Sequence, residues 1–137
     1  MKVIIDTNLW ISFLIGHQKQ LVRQLLTDTR FDVYVCPHLI GEICDVASRE
    51  KIRKHISPVD LEDLLSIIQS FCQFTIISHQ AQSNIRDPKD LYLLSLAETI
   101  EADYIISGNK DLTDLGNHAG IPILKYSEFL DRLNDKS

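Results

Sequence analysis

The sequence predicts a doubly wound, three-layer α/β/α sandwich around a central parallel sheet of about five strands, and two observations carry that expectation. Short runs rich in Val, Ile and Tyr recur along the chain with apolar residues on both sides of the alternation, as strands covered on both faces require. Between them lie segments whose apolar residues recur at the helical period. Strands alternating with helices in this way imply βαβ units and a parallel sheet.

Taken in order, the first strand covers residues 2–6, where Val3-Ile4-Ile5 stops abruptly on Asp6, Thr7 and Asn8 before apolar Leu9-Trp10-Ile11. From His17 to Asp28, the positions Leu21, Val22, Leu25 and Leu26 mark a helix. "DVYVC" (32–36) is the second strand, and residues 38–50 form a helix with Leu39, Ile40, Ile43, Val46 and Ala47 as its buried stripe. Ser57 is an N-cap, with Pro58 at the first helical position and Asp60 at the third; Leu61, Leu64, Leu65, Ile68 and Phe71 then keep the helical period. "FTII" (74–77) is the third strand. Asp87 before Pro88 caps another helix, apolar almost all round. "DYII" (103–106) and "IPIL" (121–124) are the last two strands, and a short helix over Ser127–Leu133 closes the chain. No repeat, low-complexity tract or linker interrupts the pattern. A length of 137 residues fits one domain, residues 1–137.

Composition narrows the function classes. The apolar share of 45% is that of an ordinary globular chain and argues against disorder. A net charge of -5 leaves no global basic footprint, so a nucleic-acid partner needs a local basic patch or metal ions. "SREKIRKH" (48–55) is the densest basic stretch; Arg49, Lys51, Arg53 and Lys54 read equally as a solvated helix end or a grip on a phosphate backbone. Cys36, Cys44 and Cys72 form no CxxC pair and read as small buried hydrophobes in a reducing compartment. No signal peptide and no apolar stretch near membrane-spanning length is present, so a cytoplasmic protein is expected.

Ligands of such sheets gather beyond the carboxyl ends of the strands. Acids stand at that rim after several strands. Asp6 ends the first. Glu42 follows the second, on the flank of its helix stripe, whereas Asp45 points to solvent; a first-turn acid favoured by the helix dipole is the plainer explanation. Asp87 and Asp90 follow the third, and a capping box explains both, yet Asp90 shares an azimuth with buried Leu94 and Ala97. Ser107, Asn109 and Asp111 fill a polar loop after the fourth.

Carboxylates crowded at a dry rim repel one another unless a cation compensates. Hard ions such as Mg²⁺ or Mn²⁺ take oxygen ligands and share their shell with water and phosphate oxygens. They also reconcile an acidic protein with a polyanionic substrate. His17, His38, His55, His79 and His118 show no ligand-like spacing, which argues against zinc.

"IIDTNLWIS", "RDPKD" and "ADYIISGNKDL" together resemble the PIN-domain ribonucleases, and among them the VapC-like toxins of prokaryotic toxin–antitoxin pairs. The resemblance runs from Met1 to about Leu130. It implies a parallel sheet between helices and Mg²⁺- or Mn²⁺-dependent hydrolysis of RNA. It also implies a homodimer and a cognate antitoxin inserted at the active-site groove. Asp6, Glu42 and Asp90 match the first three metal-binding acids, and Asp111 matches an acid two residues beyond the usual fourth position. Asn109 stands at that fourth position, a departure that leaves the number of ions open. Thr7, Asn8 and Ser107 match supporting polar residues.

Three rivals remain. A catalytically weak domain that binds RNA or a protein without cutting is kept alive by Asn109. A phosphoaspartate receiver wants paired acids after its first strand, where Asp6 stands alone. An aspartyl-nucleophile hydrolase wants an acid where Asn8 sits.

Overall fold

A computed structural model describes residues 1–135. In chain order the elements are β1 (Lys2–Ile5), α1 (Thr7–Ile15), α2 (Lys19–Leu26), β2 (Asp32–Val35), α3 (Pro37–Ala47), α4 (Glu50–Arg53) and α5 (Pro58–Phe71). Then come β3 (Gln73–Phe74), a 3₁₀ turn (Pro88–Asp90), α6 (Leu91–Ile100), β4 (Tyr104–Ile106), α7 (Lys110–Leu115), β5 (Asn117–His118), β6 (Ile121–Leu124) and α8 (Tyr126–Asp135). The sheet order is β3-β2-β1-β4-β6-β5, parallel throughout except for β5 against β6. This is the expected three-layer α/β/α architecture.

Several elements depart from the sequence reading. The sheet has six strands rather than about five, because β5 returns on β6 through a tight turn at Ala119 and Gly120. Both turn residues have positive φ, 53° and 84°, and an alanine does not advertise that conformation. The third strand lies at Gln73–Phe74 instead of 74–77. It pairs only with β2 at the sheet edge, and Ile76 beyond it is 80% exposed. The "SGNKDL" loop contains the start of a helix, α7, capped by the Asn109 side chain, which accepts from the Asp111 N–H. The helix expected over 38–50 stops at Ala47, and Glu50–Arg53 forms the separate α4. Cys36 and Cys72 are buried and Cys44 half-buried; all three are free thiols.

Other local signals worked as their chemistry requires. Ser57 and Asp60 form a reciprocal capping box at the head of α5. Val3, Ile4 and Ile5 are fully buried, covered on both faces as the central strand of a sandwich must be. Trp10 on α1 is also fully buried, and its indole N–H donates to the Ile5 carbonyl at 3.0 Å. Truncating it to alanine costs about 3–5 kcal/mol. None of the helices among the described residues is long and apolar enough to cross a membrane.

The strand order positions the site. From β1 the chain builds outward through β2 and β3, then returns to place β4 on the other side of β1. The connections therefore diverge between β1 and β4, opening a crevice beyond their carboxyl ends. Ile5 pairs with Ile106, so the next residues, Asp6 and Ser107, flank that crevice in register.

Candidate active site

Asp6 is where the strand ends and the helix begins. Its Oδ1 accepts the Leu9 N–H at 3.0 Å, capping α1, and its Oδ2 accepts a short hydrogen bond from the Ser107 hydroxyl across the crevice. The carboxylate is almost completely buried. Burial is the largest influence on its acidity and raises the pKa; the Ser107 and backbone hydrogen bonds oppose this, and Glu42 adds to it. A carboxylate capping a helix at a surface rim would not need such depth.

Asp90 lies at the junction of the 3₁₀ turn and α6. The capping-box explanation gives it no partner here: Asp87 caps the turn by accepting from the Lys89 N–H, whereas Asp90 accepts from the Asn109 side-chain amide at 2.9 Å. It is buried, and its pKa is pushed up to about 6 by that burial and then by Asp87, Glu42 and Asp6, with the Asn109 hydrogen bond opposing.

Asn109 ties these parts together. Its backbone N–H donates to the Ser107 hydroxyl oxygen at 2.8 Å, and its side-chain carbonyl accepts from Asp111 at 3.0 Å. Its amide nitrogen holds Asp90. An aspartate could not make that last bond, because an ionised carboxylate has no proton to donate. Here the departure from the acidic pattern has a structural use: a neutral donor fixes one acid and caps the helix that carries another.

A groove of about 880 Å³ runs over the rim. Asp6, Thr7, Asn8, Glu42, Asp90 and Asn109 line it. Glu42, on α3, is half-buried, consistent with its place on the flank of the helix stripe. Asp111 does not line the groove. Its carboxylate lies in a group with Asp87 and Asp90, with one oxygen of each within 4.8 Å of the others, and it pairs with Arg86 at 3.3 Å. Ser107 is buried beneath, supporting Asp6. Asp90 thus belongs to both groups.

Three groove residues do more than the sequence reading assigns them. Asp87 was explained as a cap and is one, yet it also contributes to the charge around Asp90. His38 stands one turn before Glu42 on α3, and its ring stacks on Tyr92 with centroids 3.9 Å apart and planes 19° from parallel. Tyr92 stands two residues past Asp90; its hydroxyl lies 3.4 Å from the Thr7 hydroxyl, and burial raises its pKa. The i,i+4 spacing of His38 and Glu42 was a legible signal for the histidine. Nothing local announced the pairing with Tyr92. In the basic stretch, Arg49, Lys51, Arg53 and Lys54 are all exposed, and of these Arg49 lines the groove and pairs with Asp45 at 3.1 Å.

The donor set fits a hard divalent ion. Every acidic side chain at the rim offers carboxylate oxygens, and burial and mutual repulsion act on Asp6 and Asp90 with no cationic side chain among their principal influences.

No curated protein sequence matches the chain significantly. A family model for the PIN domain does match, over residues 2–111, from β1 into the first turn of α7 and across all of the acids above. PIN domains are generally nucleases and generally use divalent metals. By this match over most of its length, the chain belongs to the PIN-domain family.

Proposed function

We propose that the protein is a metal-dependent endoribonuclease, the VapC-like toxin of a toxin–antitoxin pair. The single observation behind the nuclease reading is the burial of Asp6 at the crevice between β1 and β4, with Glu42 and Asp90 around the same groove. Buried acids without a cationic partner cost the fold stability, and a cost retained in this way is the mark of a group kept for function.

Asp6, Glu42 and Asp90 would hold Mg²⁺ or Mn²⁺, with Asp111 adding charge from its group with Asp87 and Asp90. When bound, the ion supplies Lewis acidity, drawing charge from phosphate oxygens and making water more acidic. Ser107 holds Asp6 at Oδ2 while the Leu9 amide holds Oδ1, so the carboxylate is preorganised from both sides. Asn109 fixes Asp90 in the same way. Thr7 and Asn8 line the groove at the head of α1 and offer neutral hydrogen-bonding groups to a phosphate or a ribose.

The experiment compares the wild type with Asp6→Asn on mixed RNA, with Mn²⁺ and then with chelator. The expected result is cleavage that needs the ion and that the substitution abolishes. Asparagine caps helices as well as aspartate, so the variant folds and the loss reports on chemistry. Binding without cleavage under every ion would favour a domain that grips RNA without cutting it, the reading that Asn109 supports. Dimer formation and inhibition by an antitoxin in the cytoplasm belong to the toxin reading; light scattering on the purified chain and co-expression rescue test them.

A further inference from the structure

We propose that the open face of the His38 ring is a stacking platform for the nucleobase next to the phosphate bound at the acid cluster, with Tyr92 as its rigid backing. The position beside the scissile phosphate rests on the nuclease reading; the stacking itself does not.

The geometry comes first. Tyr92 covers one face of the imidazole in near-parallel contact, yet 59% of the His38 side chain is exposed. With one face taken, that exposure belongs to the opposite face and the edges, and His38 is among the residues that line the groove. Preorganisation is the second point. An exposed histidine normally samples several rotamers, and ordering it on binding is costly. Here the ring is already held flat by a tyrosine that is itself buried, on α6, with its hydroxyl close to Thr7. Location is the third. The His38 Nε2 atom is 3.9 Å from a Glu42 oxygen, so a base lying on the ring is adjacent to the acids rather than remote from them.

The chemistry then favours a single-stranded nucleic acid. An acidic groove in a protein of net charge -5 gains little from phosphate contacts alone. Stacking on an aromatic face adds affinity without charge and tolerates any base. It also orients the backbone that follows the base. The competing account is that the stack only packs α3 against α6. That account predicts lower stability in His38 variants and no change in RNA recognition.

The test uses short single-stranded RNAs carrying 2-aminopurine at successive positions, whose fluorescence is quenched on stacking. Binding is measured with Ca²⁺ for the wild type, His38→Ala, His38→Leu and His38→Phe, and cleavage with Mn²⁺ alongside. His38→Ala and His38→Leu are expected to weaken binding on the order of tenfold and to lose the quench at one position. The loss appears in KM rather than kcat, and His38→Phe restores both binding and quench. Should His38→Ala not fold, the Leu and Phe pair decides by itself. Equal binding by all variants overturns the proposal, as does a phenylalanine no better than leucine, or a wild type that binds no single-stranded RNA. The two readings fail separately. Ring-dependent binding without cleavage sinks the nuclease and leaves the platform, whereas cleavage indifferent to the ring sinks the platform alone.

Discussion

Two carboxylate clusters lie at either end of α6, and they are built on opposite principles. At its amino end Asp90 meets Asp87, Glu42 and Asp6, all of the same sign, and is pushed up to about 6. Near its carboxyl end Glu98 is gripped by two imidazoles, His79 at 2.9 Å and His118 at 2.5 Å, and is held below the usual glutamate range by those hydrogen bonds. A carboxylate only accepts, so both Nε2 atoms donate to it, and the Ser78 hydroxyl then serves the His79 Nδ1 at 3.0 Å. The Glu98 cluster joins three segments: the strand-free stretch after β3, α6 and β5. Its acid is compensated by the protein itself. Around Asp90 the neighbouring acids Asp87, Glu42 and Asp6 raise its pKa instead, and the contrast separates an acid gripped by imidazoles from acids that the fold leaves crowded.

The sharpest way to break this contrast is to neutralise one acid at each end and measure cleavage. Asp6→Asn should reduce metal-dependent RNA cleavage to the level seen with chelator. Glu98→Gln should cleave as the wild type does while melting about 4 °C lower, from the loss of about 1 kcal/mol in charge-assisted bonds at a partly exposed site. A reversal of the two outcomes would mean that the compensated cluster is the working one.

The next largest effect is on the pH dependence of stability without metal, where the signs are opposite. Asp90 has a folded value of about 6 against an ordinary 3.8, so between those values the folded chain binds more protons than the unfolded one. Stability therefore falls as pH rises through that window. Asp90→Asn should remove the penalty and be more stable than the wild type by up to about 3 kcal/mol at pH 7, with the gain vanishing below the ordinary 3.8. Glu98 lies below its ordinary 4.5, so its contribution is present above that value and is lost as pH falls through the folded one. Glu98→Gln should thus be weaker than the wild type at neutral pH and converge with it in acid. Adding Mg²⁺ or Mn²⁺ should stabilise the wild type more at pH 7 than at pH 5, because an ion takes the deprotonated acids. Thermal melts at several pH values, with and without ion, read all three outcomes.

Asn109→Asp sharpens the comparison from within the site. The amide bond to Asp90 is lost and a further negative charge arrives, so the metal-free protein should lose about 1–2 kcal/mol. Calorimetry should show tighter binding of the divalent ion. A variant that binds the ion no better would place Asn109 outside its reach.

The smallest expected effect is at the flank. Arg86 pairs with Asp111 at 3.3 Å and lies 3.9 Å from Asp114, but 73% of its side chain is exposed. Arg86→Ala should change stability by less than about 1 kcal/mol. The apparent affinity for the ion should rise slightly, as Asp111 loses a competing cation.

Much of this was legible locally, and particular residues show why. The apolar run ending at Asp6 announced a buried strand that meets a polar rim, and periodicity alone located α3 and α5 to within a turn. The inward aim of Asp90 followed from its azimuth with Leu94 and Ala97, both fully buried. By contrast, β5 is only Asn117–His118, too short for any alternation to register, and its turn uses an alanine at positive φ. The helix α7 was hidden because Asn109, Lys110 and Asp111 have the composition of a turn; the asparagine that suggests a loop is the cap that starts the helix.

By itself the sequence determined the alternation of buried strands and amphipathic helices, because burial on one face or two leaves a period that neighbouring residues express directly. Tertiary structure alone decided which polar groups meet. Ser107 reaches Asp6 from 101 positions away, the Asn109 amide turns toward Asp90, and the Tyr92 ring lies beneath His38. Those contacts depend on the order in which parallel crossovers return to the sheet, with β4 set beside β1, and no local spacing carries that order.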